Sequence, residues 1–196
     1  MKYQQIVPGG LMAAGFAMSA LAHSGATGVV KERMDAMKGM QEAVKTITPM
    51  FSGQANYDAA AVRSAAAEIA GHAGAAMTST FPEGTTGHPS EARPEIWTDW
   101  DDFQALANQL ALTAQGLGLS AENGMHGATG MMGGTSGMMG GNTSGMMGST
   151  SGTMGGTMPM AGTMTAEQIG QMPADGAFAM MTQTCSACHD RFRMEH

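Results

Sequence analysis

The sequence predicts an all-α protein that folds as an antiparallel four-helix bundle. Residues that favour β-strands are sparse, whereas Ala, Met and Gly dominate the composition. Apolar residues recur at spacings of three and four in four separate segments, which is the period of a helix with one buried face. Because most connections between these segments are short, neighbouring helices are expected to run antiparallel around a shared core.

The first two helices are predicted in the N-terminal half of the chain. Residues 27–48 form one helix, which Pro49 is expected to end because proline has no backbone N–H to continue it. Its apolar stripe consists of Val30, Met34, Met37, Met40, Val44 and Ile47. The second helix opens at Asn56 or Asp58 and runs to about Met77, with a stripe of mostly small residues that lets a neighbouring helix approach closely.

The third helix is predicted after a loop. Residues 79–96 are rich in Pro, Gly, Ser and Thr, which is typical of a loop. Thr98 or Asp99 is expected to cap the helix, and Gly116 and Gly118 are expected to mark its end. Its apolar face consists of Phe103, Leu106, Leu110 and Leu117.

The fourth helix begins near residues 173–175 and runs almost to the C-terminus. Its apolar stripe consists of Phe178, Met181, Cys185, Cys188 and Phe192. The two cysteines of the chain therefore lie among the core residues of this helix. Because cofactors of four-helix bundles are held between facing helices, this stripe is the side on which a bound group is expected.

A Cys-x-x-Cys-His sequence occupies residues 185–189 and contains both cysteines. Two thiols three positions apart lie on one side of a helical turn, so both can form thioethers with haem vinyl groups, and the adjacent histidine can bring a nitrogen to the iron. A redox dithiol would need a strand–turn–helix context, which the sequence lacks. The motif predicts one covalent haem c, attached at Cys185 and Cys188, with His189 as an iron ligand.

Residues 1–22 are predicted to be a cleaved secretory signal. Lys2 gives a basic start, an apolar run follows, and Ala-Leu-Ala at residues 20–22 is a small-x-small cleavage site. The apolar run is short and interrupted by glycine, so no stable membrane span is expected. The mature domain is then residues 23–196, exported as a soluble periplasmic protein, which suits a haem attached outside the bacterial cytoplasm.

Residues 122–164 interrupt this domain with a tract of Gly, Ser, Thr and Met. Methionine pairs recur at intervals of seven to eight residues, and no charged residue lies between Asn123 and Thr165. We interpret the tract as a flexible insertion. Clustered thioethers favour Cu(I) or silver ions, and His126 could add an imidazole, whereas a neutral linker grown by repeat expansion is the alternative.

Three motifs resemble those of the class II cytochromes c, a family that contains the high-spin cytochromes c′ and their low-spin relatives. Lys-Glu-Arg-Met-Asp-Ala-Met-Lys at residues 31–38 is similar to the family's first-helix motif, and Arg-Pro-Glu-Ile-Trp at residues 93–97 to the segment before its third helix. Residues 185–193 are similar to its Cys-x-x-Cys-His-x-x-aromatic-Arg ending. The resemblance covers residues 27–120 and 173–195 and departs at the insertion, because the usual third connection is much shorter.

The resemblance implies roles for residues on both sides of the haem. Cys185 and Cys188 would carry the thioether bonds, and His189 would be the proximal axial ligand. Arg193 follows His189 by four residues and would lie beside the imidazole, where it favours the neutral ring. On the distal side, Arg33 would lie near a haem propionate.

Met37 would occupy the distal position, one helical turn after Arg33. In cytochromes c′ the distal side is apolar and unligated, and such sites admit nitric oxide or carbon monoxide. In the low-spin relatives a methionine here is the sixth ligand, and a thioether raises the potential of the iron. Met37 also lies on a core stripe, where methionine is a common filler. The match to the first-helix motif favours iron ligation by Met37, with Met34 as the less favoured choice.

The leading hypothesis is a periplasmic protein that carries single electrons through a His/Met-ligated haem c. No enzymatic activity is expected, since the sequence has no nucleophile–base arrangement. The alternatives are a gas-binding cytochrome c′ and a haem protein whose insertion binds copper. Acidic residues outnumber basic ones 16 to 9, which disfavours nucleic-acid binding and favours basic redox partners. The resemblance also implies a homodimer.

Overall fold

A computed structural model gives the structure of the chain and describes residues 25–86, 89–126 and 164–194. The predicted signal peptide and most of the predicted insertion lie outside the described residues. The four long helices are α1 Gly28–Phe51, α2 Ala59–His72, α5 Trp100–Ser120 and α7 Ala174–Phe192. Shorter elements between them are helices α3 Ala75–Thr78, α4 Glu95–Thr98 and α6 Ala166–Gly170, and the 3-10 turn Ala121–Asn123. The predicted all-α four-helix bundle is confirmed.

The long helices pack in sequence order. Extensive packing joins α1 to α2, α2 to α5, and α5 to α7, whereas α1 and α7 have no comparable contact with each other. The rings of Phe51, at the end of α1, and Phe178, near the start of α7, stack with centroids 4.3 Å apart. The start of α1 and the end of α7 therefore point to the same, opposite end of the bundle.

The predicted stripes supply the core, but they are unevenly covered. Fully buried stripe residues include Ile47, Val62, Ile69, Phe103, Leu117 and Met181. Toward the start of α1, by contrast, Val30, Met34 and Met37 are only half-buried. Cys185 and Cys188, toward the end of α7, are half-buried too. Both stripes therefore leave incompletely covered positions at one end of the bundle, where a bound group could complete the core.

Helix α1 continues past its predicted end. Pro49 lies inside the last turn, and the helix reaches Phe51 because proline removes one donor without preventing the following residues from bonding. The N–H of Ser52 donates to the carbonyl of Thr48 at 3.0 Å, and the carbonyl of Pro49 accepts from Gln54 at 2.8 Å. The predicted stop at Pro49 was therefore wrong by about one turn.

Helix α2 begins as predicted but ends early. The side chain of Asp58 caps it by accepting from the N–H groups of Ala60 and Ala61 at 2.9 and 3.2 Å. The predicted end near Met77 is wrong, because the chain turns at Gly74, whose φ of 60° favours glycine. The N–H of Gly74 donates to the carbonyl of Ala107 in α5 at 2.9 Å, so α3 starts as a separate helix.

Helix α5 runs through the two glycines that were expected to end it. A Cβ placed on Gly116 would lie 2.5 Å from the side chain of Ile169 in α6, so this glycine permits close helix packing rather than termination. The sequence analysis missed α6 itself. Thr165 and Gln168 form a capping box at its start, a signal that local reading could have used. No helix of the described part is long and apolar enough to cross a membrane.

Candidate functional site

The two cysteines lie one helical turn apart on α7. Both thiols are free and half-buried, and both residues pack against the core, whereas Ser186 and Ala187 between them are exposed. Burial raises the pKa of both thiols, that of Cys188 to about 11. A redox dithiol needs a thiolate of low pKa, so these thiols suit covalent attachment better than disulfide exchange.

His189 follows the second thiol, and its surroundings favour the neutral form of its imidazole. Desolvation lowers the pKa of its imidazole, and the positive charge of Arg193 lowers the pKa further. A neutral imidazole has the lone pair that a metal requires. The influence of Arg193 has the direction that the sequence analysis expected, while its place beside a bound haem stays a prediction.

The end of α7 is fastened to the loop before α4. An isolated antiparallel bridge joins Ala92 to Arg193, with the N–H of Arg93 donating to the carbonyl of Phe192 at 2.9 Å. The Nε atom of Arg193 also donates to a carboxylate oxygen of Glu91 at 2.6 Å. These contacts fix the last turn of α7, and with it His189, against the segment that leads into the third long helix.

Arg33 is buried on α1, with 4% of its surface exposed. Its guanidinium donates to the hydroxyls of Ser90 at 2.7 Å and Thr85 at 3.0 Å, donates to the carbonyl of Thr85, and lies over the ring of Phe81. Desolvation lowers the pKa of the guanidinium. These partners were not predicted from the sequence, because they lie 48 to 57 residues away in the chain. The contact of Arg33 with a haem propionate stays a prediction.

Met37 lines a cavity of about 390 Å³ beside α1. The other walls come from the end of α2, from α3 and from the segment that follows, and they include His72, Met77 and Phe81. No residue of α7 lines this cavity. Met34, the second predicted ligand, is half-buried on the same helix. The cavity of Met37 therefore has no wall from the helix that bears His189, and iron ligation by Met37 stays a prediction.

A cluster of aromatic rings packs at the end of the bundle that holds the start of α1 and the end of α7. The ring of Phe103 contacts Phe81 at 4.9 Å and Phe192 at 5.5 Å between centroids. Trp100 also contacts Phe103, and the indole N–H of Trp97 donates to the carbonyl of Phe81 at 3.0 Å. The two tryptophans thus help to close this end of the bundle.

The residues present fit a covalently attached haem. Two half-buried thiols stand one turn apart, an imidazole of lowered pKa follows them, and the stripes of α1 and α7 are incompletely covered at the same end of the bundle. Among the described residues, no group of three or more His, Cys, Asp or Glu side chains could hold a metal ion by itself. The two thiols and the imidazole at residues 185–189 are the donor set of a covalently attached haem, which brings its own four nitrogen ligands to the iron.

A model of the cytochrome c′ family matches residues 28–139, more than half of the chain. The chain belongs to the cytochrome c′ family. It is 36% identical over 89 residues to cytochrome c′ of Rhodopseudomonas palustris and 37% identical over 90 residues to cytochrome c-556 of Agrobacterium fabrum, in each case 45% of this chain and 60% of that protein. The chain thus spans about 60% of the length of these curated relatives.

Solved structures of the family share the fold. Cytochrome c′ of Thermochromatium tepidum aligns over 85% of this chain and 95% of its own, with a TM-score of 0.55 and 21% identity. A nitric oxide complex of a cytochrome c prime variant from Alcaligenes xylosoxidans aligns over 85% and 94%, with a TM-score of 0.54 and 23% identity. The predicted family and the predicted four-helix bundle are both confirmed.

The family match and the attachment motif belong to different parts of the chain. The family model ends at residue 139, whereas the motif occupies residues 185–189, beyond the insertion. Because α7 packs along α5, the fold joins the motif to the matched helices. Proteins of this family bind haem c covalently, and haem c is the cofactor, as the motif predicts.

Proposed function

We propose that the protein is a periplasmic cytochrome c′ whose haem iron has His189 as its single protein ligand and binds a small neutral gas such as nitric oxide or carbon monoxide. The observation that carries this proposal is the position of Met37. Its side chain lines a cavity formed with α2 and α3, and none of the lining residues comes from α7, the helix that bears His189. The space beside Met37 is therefore bounded by α1, α2, α3 and the segment after α3 and not by α7, which supports an iron that Met37 does not ligate.

Each residue of the proposed haem site would have its own role. A bound haem supplies the iron that holds the gas, and Cys185 and Cys188 would fix it along α7. His189 would donate its neutral imidazole, which desolvation and the charge of Arg193 favour. The half-buried Met34 on α1 would help to keep water out of the distal side through its apolar bulk.

The similar structures support this function by analogy. One solved relative of the same fold is a nitric oxide complex, and another from Alcaligenes xylosoxidans is a carbon monoxide complex. Their identity to this chain is 23%, so they support the fold and suggest the ligand class rather than its affinity.

The absorption spectrum of the ferric protein tests the proposal. We expect a high-spin iron, and we expect Met37→Ala to leave the spin state unchanged. Met34→Ala on the same helix is the matched control, with the same expected spectrum. A low-spin iron with a far-red methionine–iron band that disappears in Met37→Ala would overturn the proposal.

The second candidate is the electron carrier with Met37 as the sixth ligand. The observation that favours it is that Met37 is half-buried one helical turn after the buried Arg33, at the same end of the bundle as His189. Export to the periplasm, basic redox partners attracted by a formal net charge of −7, and a homodimer belong to this proposal as well. The same spectrum distinguishes the two candidates, since only the carrier needs the methionine–iron bond.

A further inference from the structure

The start of the Met-rich insertion is tied to the end of α6 and the start of α7. The side-chain amide of Asn123 donates to the carbonyls of Gly170 and Met172 at 2.8 and 2.7 Å. The N–H of Ala174 donates to the carbonyl of Gly124 at 2.7 Å. Residues 122–126 were assigned to the insertion, but these bonds hold them against α6 and the start of α7.

His126 is the last described residue before the insertion continues, and Asp175 holds it in one orientation. One carboxylate oxygen of Asp175 accepts from the backbone N–H of His126 at 3.1 Å, and the other lies 2.7 Å from Nδ1 of its ring. A carboxylate accepts hydrogen bonds, so at this distance Nδ1 is the donor to Asp175. In the neutral ring, Nε2 is then the nitrogen with the free lone pair.

The Met172 side chain lies beside the same imidazole. A Cβ placed on Gly176 would lie 3.3 Å from the methyl carbon of Met172 and 3.8 Å from Cε1 of His126. Both groups thus occupy the space that a side chain at Gly176 would fill. Because Gly176 has no side chain, the methyl end of Met172 and the edge of the His126 ring both lie beside it at the surface, where 68% of the His126 side chain is exposed.

The donor set selects a soft ion. A thioether and an imidazole suit Cu(I), whereas divalent ions such as Zn²⁺ take more thiolate, imidazole or carboxylate ligands. Among the described residues, no group of three or more such side chains is available. Asp175 would orient the ring of His126 through Nδ1 and would not bind the metal ion itself, as carboxylates do with metal-binding histidines.

We propose that Nε2 of His126 and the thioether of Met172 form a binding site for a soft monovalent metal ion, with Asp175 as the positioning residue. The site lies at the base of the insertion, on the side of the bundle where α7 begins, whereas the haem motif lies toward the end of α7. It is therefore independent of which gas or electron function the haem serves.

Anaerobic titration of the full-length, haem-loaded ferrous protein with Cu(I), in competition with a chromophoric Cu(I) chelator, tests the site. Reduced haem is used so that the iron cannot oxidise the copper. We expect His126→Ala and Met172→Leu each to weaken Cu(I) binding at least about tenfold, because each removes a ligand. We expect Asp175→Asn to weaken binding by about tenfold, the lower end of the effect of losing an orienting carboxylate.

A second readout separates positioning by Asp175 from simple support of the loop. In ¹⁵N NMR of the histidine rings, Ag(I) should shift Nε2 of His126 in the natural protein. Asp175→Asn should show a mixture of ring tautomers before any metal is added. If the tautomer is unchanged in Asp175→Asn, the positioning role is wrong.

His72 provides the matched control. It is also paired with a carboxylate, Glu68 at 3.1 Å, and it lines the cavity that contains Met37 and Met77. We expect His72→Ala to leave Cu(I) affinity unchanged. Unchanged affinity in His126→Ala and Met172→Leu, or loss of affinity only in His72→Ala, would overturn the proposed site.

Discussion

Two regions of this bundle are built in contrasting ways. The haem end, formed by residues 30–37 of α1 and residues 185–193 of α7, has half-buried methionines and thiols on its stripes and is framed by polar contacts of Arg33 and Arg193. The α6 face, where α5, α6 and residues 170–176 meet, is closed by direct contact of backbone and apolar side chains.

The α6 face is an interface that the protein closes with its own residues. Gly116 receives the side chain of the fully buried Ile169, and Gly170 receives Leu119, at distances that leave no room for a Cβ. At the haem end the same helical periodicity places side chains that the protein alone does not cover. The same apolar periodicity can therefore give either a closed core or a space for a cofactor. The residues that pack against the stripe decide between the two.

The largest effect is expected from removing both thiols at the haem end. The double variant Cys185→Ser and Cys188→Ser should lose all covalently bound haem, because no other cysteine in the chain can form a thioether. Haem staining after denaturing electrophoresis measures this directly. Ser186→Ala, an exposed position between the two, is the control and should keep full staining. Haem that stays with the denatured double variant would show that attachment occurs elsewhere.

Replacing Arg33 tests how much the protein's own polar contacts stabilise the haem end. Arg33→Met should lower the free energy of unfolding by about 2 kcal/mol, since buried Ser90 loses a charged hydrogen-bond partner. Urea unfolding at neutral pH measures the loss. Arg63→Met, which breaks an exposed ion pair with Glu122, should cost less than about 1 kcal/mol. Equal losses in the two variants would mean that the buried contacts of Arg33 contribute little.

A pair of glycines on α5 sharpens the contrast at the α6 face. Gly116→Ala should destabilise the protein by about 1–2 kcal/mol, because the new methyl overlaps Ile169 and this strain exceeds the gain in helix propensity. Gly118→Ala should be neutral or stabilising by up to about 1 kcal/mol, since its Cβ would meet Ala66 at an ordinary 3.6 Å. Thermal unfolding of the two variants measures the difference, and similar midpoints would contradict the tight packing at Gly116.

The fold could be predicted because a helix with one apolar face has a periodic pattern of apolar residues in its own sequence. The errors came where a residue acts through a distant partner. Gly74 bends the chain toward Ala107, and Gly116 accommodates Ile169, so neither glycine plays the role that its neighbours in sequence suggest. Helix α6 and the end of α1 are exceptions, since the capping box at Thr165 is a local signal that was available and the turn that continues α1 past Pro49 is held by local bonds.

The same difference between local signals and distant partners applies to the candidate site. The residues at 185–189 are adjacent, so their chemistry follows from spacing alone. The surroundings of Arg33 depend on Thr85 and Ser90, which no local pattern connects to it. The place of Met37 likewise depends on how α1 packs against α2 and α3. Sequence therefore predicts what attaches the cofactor better than what faces it.

The smallest predicted effect concerns the ion pair of Asp175 at the edge of the α6 face. Because the pKa of Asp175 is lowered on folding, its contribution is present above the ordinary pKa of an aspartate, near pH 4, and is lost as the pH falls through the lowered folded value. Asp175→Asn should therefore reduce the free energy of unfolding by less than about 1 kcal/mol at pH 7, since the pair is partly exposed, and by less still at pH 2. Urea unfolding at the two pH values measures this. Glu42→Gln, at an exposed position of α1 whose side chain has no partner in the described part of the chain, is the control. A stability difference for Asp175→Asn that does not shrink on acidification would mean that the carboxylate of Asp175 holds the base of the insertion by shape rather than by charge.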